Sequence, residues 1–123
     1  VETATTSVTI KNTAKAVKSG NLDVFSTPMM IALMEEAACK AIIPLLEEGQ
    51  TSVGVAIAVE HTAASPIGAK ITATAHITAT DKRKVIFELA AHDDANPIGK
   101  GTHTRYIVDT EAFMNRLYSP DKS

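Results

Sequence analysis

The chain of 123 residues has a single cysteine, Cys39, so no disulfide can form within it, and a thiol in an apolar stretch reads as packing in a reducing, cytoplasmic setting. It has no charge-free run of about eighteen apolar residues, which excludes a helical membrane span on this reading. The polar opening Val1-Glu-Thr-Ala-Thr-Thr does not read as a signal peptide. Charge of neither sign is in excess. A formal net charge of -2 gives no general attraction to nucleic acid or to an anionic membrane, so neither is expected as a partner. The four histidines lack ligand spacing such as H-x-x-x-H, so the case for a metal is weak and no cofactor is expected. Repeats, linkers and low-complexity stretches are also missing. One domain over residues 1–123 is therefore expected, small enough that pairing with a second copy would help.

What is present reads as one helix followed by strands. Ser7 to Lys11 alternates in the β manner, and Lys18 to Asp23 is a polar loop leading to the helix. Ser26 or Thr27 suits the N-cap and Pro28 the first helical position; the helix then runs from Pro28 to Glu47, towards Gly49. It is apolar around most of its circumference, as a helix wrapped by other structure would be. Strand-like segments follow at Val53 to Thr62, Ala69 to Thr80, Lys84 to His92 and Gly99 to Asp109, with turn residues between them. Connections this short cannot hold crossover helices, so the expected fold is α+β, with the helix against one face of a mainly antiparallel sheet. Glu111 to Leu117 reads as a short terminal helix, with a polar tail from Ser119.

Glu35 is the most informative residue. At roughly 100° per residue, Glu36, Lys40 and Glu47 share a polar sector of the helix, whereas Glu35 falls between Ile42 and Leu46 on the side facing the core. A carboxylate there needs a partner, a shifted pKa or a functional cleft. Two residues offer partnership, Thr27 and His61, and each has a structural explanation of its own. An N-cap role would account for Thr27 completely. His61 ends an apolar row of Val53, Val55, Ile57 and Val59, with Gly54 on the opposite face, and could be a half-buried strand-end histidine or a catalytic one. His76, His92 and His103 rank lower, Glu60 reads as solvated, and Arg105 reads most simply as a surface cation.

The segments Val24-Phe-Ser-Thr27-Pro-Met-Met-Ile-Ala-Leu-Met-Glu35-Glu-Ala, Val59-Glu-His61-Thr-Ala-Ala-Ser-Pro and Ile98-Gly-Lys-Gly-Thr-His-Thr-Arg105 resemble the fluoroacetyl-CoA thioesterase family of hot-dog fold. The resemblance runs from Val24 to about Phe113 and is weaker before Asn21. It implies a homodimer with acyl-CoA sites at the subunit interface. It further implies that Thr27, Glu35 and His61 are catalytic, and that Gly54 and Arg105 line the substrate site. Gly68 is a further implied backbone contact to substrate.

Thioester hydrolysis needs attack on the carbonyl carbon, management of a proton, and donors for the oxyanion. His61 and Glu35 could activate water, or Glu35 or Thr27 could attack first; N–H groups at the helix start could hold the oxyanion. One departure bears on substrate. The fluoroacetyl-specific enzyme carries a phenylalanine gate where this chain has Lys18-Ser-Gly-Asn-Leu-Asp23, and a bulky aromatic where it has Glu36. The expectation is a thioesterase for short or medium acyl-CoA without fluoroacetyl selectivity. An acyl-CoA binding module and an enoyl-thioester hydratase are the rivals.

Overall fold

Alternating stretches of small or branched residues pair into one antiparallel sheet in the computed structural model, which describes residues 1–118. The elements run β1 (Glu2–Ser7), α1 (Thr27–Ile42), a 3-10 turn (Ile43–Leu45), β2 (Gln50–His61), β3 (Lys70–Asp81), β4 (Lys84–His92), β5 (Pro97–Asp109) and α2 (Thr110–Tyr118). Strand order is β1-β3-β4-β5-β2, so β2 forms one edge. The expected α+β arrangement is present: α1 lies across one face of the sheet. Met30, Leu33, Met34, Ala37, Ala38 and Ile42 of α1 are buried with Ile71, Ala73 and Ala75 of β3 and Val85, Phe87 and Leu89 of β4. Each large apolar side chain in that layer contributes about 1.5–3 kcal/mol. The polar tail expected from Ser119 lies outside the described residues.

Two boundaries differ from expectation, each for a local reason. The helix stops at Ile42, short of Glu47. Pro44 has no N–H for the Lys40 carbonyl and its ring would crowd that turn, so the chain tightens instead: the Ile43 N–H bonds the Lys40 carbonyl and the Leu46 N–H bonds that of Ile43. The first strand covers Glu2–Ser7, not Ser7 to Lys11. Asn12 is the reason, because its side chain accepts from the Thr9 N–H at 2.9 Å and donates to the Ser7 carbonyl at 3.0 Å, bending the chain after Val8. The loop before α1 is pinned by backbone bonds from Ala14 to Val24 and from Ser19 to Ala14, at 2.8 and 2.9 Å.

Cys39, expected to pack, is exposed on α1. No helix among the described residues is long and apolar enough to cross a membrane.

The largest departure is inside β2. Gly54 pairs with Arg105 and Ala56 with Thr104, so Val55 has no partner and the strand carries a β-bulge. Residues directly opposite in an antiparallel pair share a face. Ser52 and Gly54 therefore share the helix-facing row of Ile57, Val59 and His61, opposite Ile107, Arg105, His103, Gly101 and Gly99. Val53, placed in that row by simple alternation, is on the outer face. Only this phase change puts Gly54 and His61 on one side of the sheet.

Candidate active site

Ser26, not Thr27, caps α1. Its backbone is extended, at φ -82 and ψ 148, and its hydroxyl accepts from the Met29 N–H at 3.2 Å. Thr27 is thereby the first helical residue and Pro28 the second. Freed from capping, Thr27 Oγ1 lies 2.7 Å from His61 Nδ1 at the far end of β2. The Ser26 N–H bonds the Asn12 carbonyl and Pro28 has no N–H, so Thr27 carries the one first-turn donor without a protein partner among the described residues. A neutral imidazole, a hydroxyl and a free N–H thus meet at a positive helix end.

Burial pushes the His61 pKa below its usual value, opposed only in part by the Ala63 backbone. His61 Nε2 is buried without a hydrogen-bond partner among the described residues. The dyad borders a cavity of about 280 Å³ lined by Ala14, Ser19, Val24, Phe25 and Thr62 to Ala64.

Glu35 belongs to a second cluster. Its side chain is 41% exposed in the single chain, not buried as expected, because α1 turns this face to the edge strand β2, which covers only part of it. Glu35 Oε2 lies 3.6 Å from Arg105 Nη1 and 3.9 Å from His103 Nε2. Arg105, expected at the surface, is only 7% exposed. Its Nε donates to Ser52 Oγ at 2.9 Å, its Nη2 to the Ser52 carbonyl at 3.1 Å, and its Nη1 contacts His103 Nε2 at 3.2 Å. A buried guanidinium requires partners of this kind, and each of its three nitrogens has one.

His103, ranked low from the sequence, is buried beside Phe87, with Nδ1 2.8 Å from the Ala56 carbonyl. Burial, more than the neighbouring Arg105, holds its pKa below the usual value, against smaller opposing effects from the Ala56 backbone and Glu35. The 3.9 Å approach to Glu35 is therefore not an ion pair. The signal for His103 was its spacing: it alternates with Gly101, Arg105 and Ile107 on the row facing α1. A Cβ on Gly54 would sit 2.9 Å from Glu35 Oε2, 3.1 Å from His103 Cε1 and 3.2 Å from Arg105 Nη1, so a side chain there would crowd the place where these three converge.

The structure brings Thr27 to His61, and Glu35 to Gly54 and Arg105, but does not join the two groups. Thr27 and Glu35 are eight residues apart on α1, about 12 Å along its axis. Gly68 belongs to neither. Its φ of 97 meets the need of the turn before β3, and it lines a separate depression with Pro66, Asp93 and Asp94. His76 and His92 are exposed, and among the described residues no group of three or more His, Cys, Asp or Glu is arranged to hold a metal ion.

Known proteins resemble this chain in sequence and in fold. Residues 8–111 match the family model described as fluoroacetyl-CoA-specific thioesterase. The chain is 43% identical over 95 residues to the fluoroacetyl-CoA thioesterase of Streptantibioticus cattleyicolor, covering 77% of this chain and 68% of that one. A phenylalanine-to-alanine variant of the fluoroacetyl-CoA-specific thioesterase FlK, in complex with fluoroacetate and CoA, superposes with a TM-score of 0.87 at 35% identity, covering 94% of each chain. A hot-dog-like protein from Thermanaerovibrio acidaminovorans superposes at 0.85 with 25% identity, covering 94% of this chain and 86% of that one.

Proposed function

The chain belongs to the fluoroacetyl-CoA-specific thioesterase family, thioester hydrolases of hot-dog fold, and from this premise we propose that it hydrolyses a short or medium acyl-CoA to the free acid and CoA without fluoroacetyl selectivity. The observation that carries this reading is the 2.7 Å contact between Thr27 and a neutral His61 beside an open cavity. With the thioester carbonyl at the helix start, the Thr27 N–H faces the developing oxyanion. Water attacks the carbonyl carbon, its proton passes to the His61–Thr27 pair or to the Glu35 carboxylate, and collapse of the tetrahedral intermediate expels the CoA thiolate, which takes a proton. Attack by Glu35 would leave a mixed anhydride, which single turnover in ¹⁸O-water reveals as label in Glu35 when water opens it at the Glu35 carbonyl; attack by Thr27 would leave an ester, which acid quench and mass measurement of the protein reveal.

The substrate reading rests on the cavity wall. Ala14 and Ser19 line it, and the one phenylalanine among its described lining residues, Phe25, is itself buried in the core. The segment Lys18 to Asp23 contains no aromatic side chain to close over a small acyl group. Thiol release across acyl-CoAs from acetyl to aromatic tests this directly, with fluoroacetyl-CoA beside acetyl-CoA. Comparable rates on those two support the reading, while strong preference for the fluorinated substrate sinks it. Binding without thiol release indicates a binding module, and an altered acyl chain still attached to CoA indicates a hydratase. The free thiol of Cys39 suits a cytoplasmic setting.

The two clusters work together, on this reading, across a homodimer. Edge strand β2 exposes Val55, Ala56, Ile57 and Ala58, an apolar unpaired edge of the kind that a second copy covers. Pairing there would bring the Glu35 group of one protomer to the Thr27–His61 pair of its partner. Mixing His61→Ala with Glu35→Gln protein tests it. A composite site leaves one intact active site in each mixed dimer and restores about a quarter of wild-type activity under random exchange. A site complete within one chain restores none.

A further inference from the structure

His103 is a buried ionisable side chain to which the reading above assigns no part. Its surroundings fix its proton. The Ala56 carbonyl, 2.8 Å from Nδ1, can only accept, so Nδ1 carries the hydrogen and a neutral ring presents a bare lone pair at Nε2. The group facing that lone pair is Arg105 Nη1, which can only donate, at 3.2 Å. The same Nη1 lies 3.6 Å from Glu35 Oε2. One guanidinium nitrogen is thus shared between an imidazole lone pair and a carboxylate, while Ser52 anchors Nε and Nη2.

We propose that His103 is a positioning residue of the thioesterase site: held by the Ala56 carbonyl at the β2 bulge, it takes one hydrogen of Arg105 Nη1 and thereby fixes the guanidinium that orients Glu35. The inference rests on the hydrolase reading for its consequence, though not for its geometry. Filling space beside Phe87 would not require a ring with a donor on one side and an acceptor on the other. Protonation would be doubly unfavourable, because it would turn Nε2 into a donor aimed at a cation. Burial and Arg105 both oppose it, which keeps the acceptor available at neutral pH.

Two kinds of measurement test this. In ¹⁵N-labelled wild-type protein at pH 7.5, long-range ring correlations should show His103 protonated at Nδ1 and bare at Nε2. The opposite tautomer or a charged ring would overturn the proposal whether or not the enzyme turns over. Absence of thiol release from wild type would instead count against the hydrolase reading alone. Among variants, His103→Asn retains a donor near the Nδ1 position and loses the Nε2 acceptor, whereas His103→Gln can offer an oxygen near Nε2. We expect His103→Asn to lower kcat by about tenfold or more with KM within about threefold, and His103→Gln to regain most of that loss. If His103 acts through Arg105, His103→Asn will cost less than about threefold when introduced into Arg105→Lys. Unchanged kcat in a folded His103→Asn, or an equal loss in both backgrounds, would make His103 a packing residue only. If His103→Asn fails to fold, the ring tautomer still decides.

Discussion

The start and the middle of α1 hold polar side chains in opposite ways. At the start, Thr27 is exposed and meets His61 as one uncharged pair beside an open cavity. In the middle, a cation 7% exposed is braced by Ser52, His103 and Glu35 together. The difference follows from what burial costs. A neutral pair near solvent tolerates sparse support, whereas a desolvated charge needs nearly every hydrogen-bonding position filled. On the proposed reading, proton transfer falls to the first place and rigid orientation to the second.

The most severe way to break this comparison is to remove one of the proposed catalytic groups from each place. Glu35→Gln and His61→Ala are each expected to lower kcat by about 10²–10⁴-fold, read by thiol release, with melting temperatures near wild type. A loss confined to one variant would show that only one cluster takes part in chemistry. Next is Gly54→Ala, whose methyl group would press on all three members of the second cluster. It should cost about 1–3 kcal/mol of stability by overpacking, measured by urea denaturation, and lower kcat with it. Unchanged stability would mean that the cluster has room it does not show.

Acid distinguishes the two places less strongly, since both hold a histidine with a lowered pKa. In each case the unfolded chain binds the proton more readily than the folded one. Their contribution to stability is complete above the ordinary value of 6.5 and is lost as pH falls below it toward the folded pKa values. Urea midpoints should therefore drop on acidification from pH 7, and His103→Gln should remove part of that slope. The smallest expected effect concerns the cap. Ser26→Ala should cost about 1 kcal/mol, whereas Thr27→Ala, no longer confounded by capping, should cost activity but little stability. The reverse order would return the cap to Thr27.

Much of this arrangement was legible in the sequence. The strand Lys84–His92 was placed to the residue, and β3 and α2 to within about one residue at each end, because their alternation or helical spacing is uninterrupted. The helix end was misjudged although Pro44 marked it: apolar spacing continues past a proline, while the backbone cannot. Glu35 was expected to be buried because periodicity gives the direction of a side chain without saying how far neighbouring structure extends over it. His103 was undervalued beside Thr102 and Thr104, since those polar neighbours occupy the opposite face. Arg105 was misread for the same reason. Burial of a charge depends on partners such as Ser52, distant in sequence and brought opposite by strand pairing.

The unpaired Val55 has a consequence for how this gene can change length. Upstream and downstream of it, β2 runs in two reading phases, one residue out of step, like text resumed after an inserted letter. Loss of that single codon would close the bulge and leave Gly54 opposite Arg105 and Ala56 opposite Thr104, so the strand would keep both its pairing and its faces on either side of the cut. A one-residue deletion there should therefore harm the site less than deletion of a paired residue of the same strand, which would turn the side chains on one side of the cut to the opposite face.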